Sequence, residues 1–359
     1  MTVRGSKTPI VAGICALALS ATTLTIMHAQ QPAAPQAPAG GPGGGAAPAR
    51  AGGPGGGRGG PQNQVPRVED VMGMLVALPD KAPAEPKQPR RVLVFGKAAG
   101  FVHSSIPLAA RTIEALGNKT GAWNTVITYS LADINALNLQ GYDAIVLDST
   151  TGTFLDDPND APGTAARHKA LMDFVRGGKG IVAIHAGTDS YHSLGNGGDP
   201  LWPEFNQMIN GYFKWHWLYP TQIVMKVEDV NSPINASFTR AGRGGGPRTA
   251  AGADTLSIVD EVYTYPMGSW NRSKAHVLTS IDYAKMPAEV KAQEAPENKR
   301  TDGDYVLSYI QKEGNGRVFV ELLGHHESIY KQRPMLEHIL AGMQYAIGDL
   351  QADDAPAAK

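Results

Sequence analysis

The chain has 359 residues, of which 42% are hydrophobic and 18% charged. It is therefore not a wholly disordered polypeptide, and its length suits one large domain or two small ones. Its 32 basic and 33 acidic residues leave a formal net charge of −1, which gives no electrostatic ground for nucleic acid or an anionic membrane surface as a partner. The single cysteine, Cys15, excludes a disulfide framework, a thiolate zinc finger and an iron–sulfur site within one chain.

Residues 1–29 place Arg4 and Lys7 ahead of an apolar stretch from Ile10 to Met27, with the small residue Ala29 behind it. This is the layout of a secretory signal peptide. The stretch is diluted by Ala, Ser and Thr and is short for a spanning helix. The expectation is cleavage after Ala29, export to the periplasm or beyond, and no stable membrane insertion of the mature chain. Ile14 stands where a lipoprotein signal needs a small residue before Cys15, which argues against lipidation. Residues 30–66 are almost entirely Gln, Pro, Ala, Gly and Arg. They cannot fill a core and read as a disordered tether. A short amphipathic helix is expected at 67–80, and a Pro/Lys linker carries the tether to residue 89.

The globular part spans 90–348. Val92–Phe95, Trp123–Tyr129, Ala144–Asp148 and Gly180–Ile184 are short apolar runs that read as buried strands. Between them, 105–117 and 164–176 have helical spacing. Pro107 lies in the first turn of one, with Gly117 at its exit, and Gly177-Gly178 closes the other. Continuous apolar strands alternating with helices predict an α/β fold, a parallel sheet covered on both faces. Further on, a short helix is expected at 203–209, strands at 221–228, 258–265, 275–281, 304–311 and 316–322, and a last helix at 333–347. Residues 240–252 have the composition of an exposed insertion. Residues 349–359 form a polar tail.

Ligands of open parallel sheets sit at the carboxyl ends of the strands. Three such ends carry a histidine. The first strand leads to His103, the fourth runs directly into His185, and the strand at 316–322 runs into Gly324-His325-His326. These strand positions bring His103, His185 and His325 into one crevice although they lie far apart in sequence. Each has a plainer reading: His103 as a helix cap, His185 as a core residue bonded to a carbonyl, His326 as a solvent-facing neighbour. Ala183-Ile184-His185-Ala186-Gly187 also has the shape of a nucleophile elbow, with imidazole where Ser or Cys would stand. Acyl transfer through that position is excluded. Acid–base work by imidazole is not, and the N–H groups of 186–188 are placed to meet a ligand oxygen.

More polar groups follow. Tyr191-His192 lies in the loop after the elbow, Trp215-His216-Trp217 sets an imidazole between two indoles, and Glu261 and Tyr263 share one side of a strand. Aromatic faces beside carboxylates suit a sugar, whose ring stacks and whose hydroxyls take directional bonds. Ordinary packing is the alternative for both indoles. Histidines from several strand ends could also hold a divalent metal such as zinc, although no H-x-H or H-E-x-x-H spacing is present. The Gly-rich tract does not lie between a strand and a helix, so it is no phosphate-binding loop.

The pieces RVLVFGKAAGFVHSSI (91–106), YDAIVLDSTTG (142–152), LMDFVRGGKGIVAIHAGTDSYH (171–192), WPEFNQMINGYFKWHW (202–217), DEVYTY (260–265) and GRVFVELLGHHESIY (316–330) resemble, in order and spacing, the trehalose-utilisation (ThuA-like) family. The resemblance covers about residues 90–348. It implies a flavodoxin-like three-layer α/β/α sandwich of the class I glutamine amidotransferase type. It also implies that His185 replaces the amidotransferase cysteine, and that the chain is linked to sugars, including oxidised (keto) sugars. The family's polar positions map to His103, Ser104, His185, Asp189, His216, Glu261 and His325. Where the family often has His-Pro-Trp, this chain has His216 followed directly by Trp217.

The leading expectation is an exported enzyme using acid–base chemistry on a keto-sugar or glycoside. His185 would be the general base or acid with His103 as its partner, and Glu261 and His325 would orient an imidazole or bind hydroxyls. Ser104, Asp189, His192, His216, Trp217 and Tyr263 would bind the substrate. A non-catalytic carbohydrate-binding module and a histidine-ligated metallohydrolase are the alternatives.

Overall fold

The structure is a computed structural model that describes residues 1–2, 57–58, 62–193, 198–239 and 255–356. The signal-like segment, most of the tether and the insertion at 240–252 lie outside these residues. In chain order the elements are β1 (Gly57–Arg58), α1 (Val68–Ala77), β2 (Arg91–Phe95), β3 (Phe101–Val102), α2 (Ile106–Thr120), β4 (Asn124–Thr128), α3 (Ala136–Leu139), β5 (Ala144–Asp148), α4 (Ala161–Arg176) and β6 (Gly180–Ile184). There follow α5 (Pro203–Ile209), β7 (Trp215–Val227), α6 (Ala236–Thr239), β8 (Thr255–Thr264), β9 (His276–Ile281), α7 (Ala288–Lys291), β10 (Val306–Glu313), β11 (Gly316–Glu321) and α8 (Arg333–Ile347). Among the described residues no helix is long and apolar enough to cross a membrane.

Nine strands form one sheet in the order β4-β2-β5-β6-β11-β10-β9-β7-β8. The first five are parallel neighbours and the rest pair antiparallel, so that only β10 and β7 run against the common direction. The apolar runs are continuous because both faces are covered. Leu93, Phe95, Ile145, Leu147 and Ile181 pack with Leu171 and Phe174 of α4 and Phe205 of α5. Val92, Val94, Val146, Val182 and Ile184 pack with α1, α2 and α8. This is the three-layer α/β/α sandwich expected from the sequence.

A third apolar cluster lies under the β7–β8 hairpin, built by Trp217, Ile223, Met225 and Val262 against Leu307, Ile329 and Met335. β9 holds β7 only along Met225–Val227, and a register shift interrupts the hairpin between Trp217 and Thr221. The open end of the hairpin, where Trp215–Trp217 pair with Val262–Thr264, is therefore paired to no further strand. It leans across the carboxyl ends of the parallel strands and carries Glu261 toward His185.

Several boundaries differ from expectation. α2 passes Gly117 and ends at Gly121, whose φ of 69° suits glycine. Gly117 serves close packing, since a Cβ there would lie 2.5 Å from the Trp123 ring. β7 begins at Trp215 and not at 221, because alternating burial continues through the indoles. The linker and the tail are both anchored. Arg90 bonds Asp143 at 3.1 Å and the buried Asp349 at 2.6 Å, while the main chain of Ala84 exchanges two hydrogen bonds with the Gln344 side chain. Within the stretch expected to be a tether, β1 pairs with β3, and Gln62 bonds the main chain at Gly96 and Ala98.

α8 lies so close to the sheet that a Cβ on Gly342 would come within 2.2 Å of the Phe319 ring. Gly342→Ala should therefore cost about 1–3 kcal/mol through overpacking, read as a lower Tm in thermal unfolding. Gly268→Ala, which meets nothing within 4 Å, should leave Tm nearly unchanged.

Candidate functional site

β6 ends in a sharp turn. His185 has a φ of 44°, a conformation that costs a non-glycine residue about 1–3 kcal/mol, and it opens a short 3-10 turn, His185–Thr188. This is the elbow geometry read from the sequence. The His185 ring is fully buried. Its Nδ1 stands 2.9 Å from the Leu322 carbonyl, so Nδ1 carries the proton and the Nε2 lone pair is left pointing inward. Tyr263 packs on the ring, its centre 4.3 Å away.

His103, from the β3–α2 loop, and His325, from the turn after β11, complete the group. Their ring centres lie 4.8 and 5.3 Å from that of His185 and 5.1 Å from each other. Glu261 of β8 reaches into the same space. Its Oε1 stands 3.7 Å from His185 Nε2 and 3.3 Å from His325 Nδ1, and its Oε2 stands 3.0 Å from His216 Nδ1. None of these three contacts has the alignment of a hydrogen bond: His185 Nε2, His216 Nδ1 and His325 Nδ1 are buried without a hydrogen-bond partner, as is His103 Nδ1.

Burial, seconded by the neighbouring imidazoles, pushes His103 well down. Burial and the nearby His325 push His185 down to about 3. Burial works against charge on Glu261 and His325 too. The His216 and His325 imidazoles outweigh it and hold Glu261 well below the carboxylate range, and Glu261 in turn raises His325. The cluster thus combines two neutral imidazoles with a carboxylate that stays ionised.

Two residues that the sequence does not place in the site hold this geometry. Asp260 is buried and accepts N–H bonds from Gly324, His325 and His326 at 2.7, 3.2 and 3.0 Å. Its carboxylate fixes the turn that presents His325. Burial drives Asp260 up to about 7 against the pull of His325 and those N–H groups. The Ser105 hydroxyl donates to the Gly324 carbonyl at 2.9 Å, tying the His103 loop to the same turn. No spacing signal marks either residue, since each acts on main-chain atoms far away in sequence.

The other expected residues divide. His103, His185, Glu261, His325, His216 and Tyr263 come together. Ser104 is half-buried, and the tie is made by its neighbour Ser105. Asp189 bonds His192 Nε2 at 2.6 Å. The His192 ring stacks on Tyr212, forming a pair beside the cluster. Trp217 is misplaced as a substrate contact: it is fully buried, and its indole N–H donates to the Val290 carbonyl at 3.0 Å. Ordinary packing accounts for that indole, because the hairpin needs its bulk against the core. Tyr219, which the sequence does not single out, stacks on His326 with ring centres 4.0 Å apart, half-exposed beside His325.

The profile of one protein family, described as trehalose utilisation (ThuA), matches residues 91–346. The chain belongs to the ThuA family. Among solved structures, a ThuA-like protein of Bacteroides uniformis is similar at 16% identity with a TM-score of 0.53, over 73% of this chain and 93% of that one. A ThuA-like protein of Parabacteroides merdae is similar at 16% identity with a TM-score of 0.47, over 73% and 91%. No curated relative matches the chain. At these identities the first structure speaks for the fold alone, the flavodoxin-like sandwich.

Trp217→Phe removes one buried hydrogen bond and some packing. The expected result is a loss of about 1 kcal/mol or more in chemical unfolding. Unchanged stability would contradict the packing role of Trp217.

Proposed function

We propose that this ThuA-family protein is an exported enzyme that moves protons on a small carbohydrate, with a keto-sugar or keto-glycoside as substrate. The observation that carries the reading is Glu261, one buried carboxylate facing His185 and His325 with one oxygen and His216 with the other. An imidazole held by a carboxylate is the usual pairing for general acid–base catalysis. The site opens where His216, Tyr219, His325 and His326 are partly exposed, so the substrate enters from that side.

In this reading His216, oriented by Glu261, takes the proton from the carbon beside the ketone. The sugar oxygen that gains charge is met by main-chain N–H groups of the turn after His185, since the inward Nε2 of His185 is a lone pair and donates nothing. Isomerisation and elimination both begin with that step. His185, expected from the sequence to be the base, serves as a fixed wall of the site, since its Nδ1 is engaged by Leu322 and its ring is out of reach of solvent. Tyr219 and His326 offer a stacked aromatic surface for the sugar ring. The histidine at the elbow argues against glutamine amidotransferase chemistry, which needs a thiol there. The binding-module alternative loses support, because one of its two indoles is buried.

Purified full chain should turn over members of a panel of 3-keto-glycosides. Glu261→Gln and His216→Gln should each lower kcat/KM by about 10²–10⁴-fold. Absence of turnover across the panel, or variants as active as the parent, overturns the reading. Export is tested separately: mass spectrometry of the protein recovered outside the cytoplasm should find Gln30 at the N-terminus, and an uncut Met1 would contradict it.

A further inference from the structure

The three buried imidazoles pose a problem that proton transfer does not solve. His103 Nδ1, His185 Nε2 and His325 Nδ1 all lack partners, and an unsatisfied buried polar atom costs about 1–3 kcal/mol. The Nε2 of His185 is an acceptor, because Nδ1 holds the proton against Leu322. Glu261 Oε1 is a further acceptor at the same spot. A water molecule has two protons and could serve only two of these four atoms as acceptors. A cation can serve all of them at once.

The spacing fits a metal ion. One donor atom from each of His103, His185, Glu261 and His325 lies within 4.8 Å of all the others. With metal–nitrogen bonds of about 2.0–2.1 Å and ring centres about 1.1 Å behind each nitrogen, imidazoles at tetrahedral angles stand about 5 Å apart. The observed ring-centre separations are 4.8, 5.1 and 5.3 Å, with planes within a few degrees of perpendicular for two pairs and 81° for the third. Tetrahedral donors on such an ion lie about 3.3 Å apart. Glu261 Oε1 stands 3.3 Å from His325 Nδ1 and 3.7 Å from His185 Nε2.

The geometry points to a centre for a divalent transition-metal ion of the zinc class, held by His103, His185, His325 and Oε1 of Glu261. Three nitrogens, one oxygen and no sulfur are the donor set such an ion accepts. The groups behind the donors are those a metal site needs. Leu322 fixes the His185 tautomer, Asp260 anchors the main chain of His325, and His216 stands at the far oxygen of Glu261. The bound ion would polarise a sugar oxygen. This inference rests on the reading of the cluster as the catalytic centre and adds to it the group that fills the space between the rings.

The test uses full chain carrying no affinity tag, stripped with chelator, then titrated with Zn²⁺ by calorimetry and with Co²⁺ by visible absorption. The expected result is one ion per chain and the intense absorption bands of tetrahedral cobalt. His325→Gln and Glu261→Gln, shown folded by circular dichroism, should weaken binding by at least about 10-fold. His168→Gln, remote from the cluster, should bind as the parent does. No saturable binding, or binding unaffected in both cluster variants, overturns the proposal. The two readings separate cleanly. Full turnover of the sugar panel by the stripped chain keeps the enzyme and removes the ion. A tightly held ion in a chain that turns over no sugar keeps the ion and removes the proposed reaction.

Discussion

The burial of the Glu261 carboxylate among imidazoles is the constraint on which the site depends. Removing an ionised carboxylate from water costs several kcal/mol even after relaxation, and it is tolerated only where close partners restore most of that loss. Glu261 has two such partners, His216 and His325, and the oxygen that meets His325 also faces His185, so three different segments converge on it. The arrangement therefore fixes the β6 turn, the turn after β11 and the open end of the β7–β8 hairpin relative to one another. A fourth segment, the β3–α2 loop, enters through His103 and is tied in by the Ser105 hydroxyl.

The rest of the molecule makes that burial achievable. The parallel half of the sheet sets His185 at a carboxyl end, supported by two apolar layers. The antiparallel half supplies a hairpin long enough to fold over that end, held down by its own apolar cluster. Trp217 belongs to this second task. Strain at His185 and a raised Asp260 carboxyl are local costs of the same design, and the packing around them is what offsets both.

Much of this is legible in the sequence. The runs at 92–95, 144–148 and 180–184 name the parallel strands because a strand buried on both faces must be apolar throughout. The rule that ligands gather at carboxyl ends then places His103, His185 and His325 together on strand order alone. Glu261 and Tyr263 are legible as a pair because strand alternation puts them on one side. What escapes is whatever depends on main-chain partners or on bending. Asp260 works on three N–H groups more than sixty residues away, and no pattern in its own strand announces this. Trp215-His216-Trp217 looks like a loop motif because nothing local shows that β7 runs on through it. The assignment of the chain to the ThuA family adds a tie to carbohydrate utilisation, and the chemistry has to come from the cluster itself.

The convergence of the imidazoles is tested most directly by nitrogen NMR of the histidine rings in the full chain. In the chain stripped of metal by chelator, the expected result is a His185 ring with the proton on Nδ1 and a bare Nε2, and proton–proton contacts joining the rings of His103, His185 and His325. A His185 ring protonated on Nε2 alone, or three rings without mutual contacts, would contradict it.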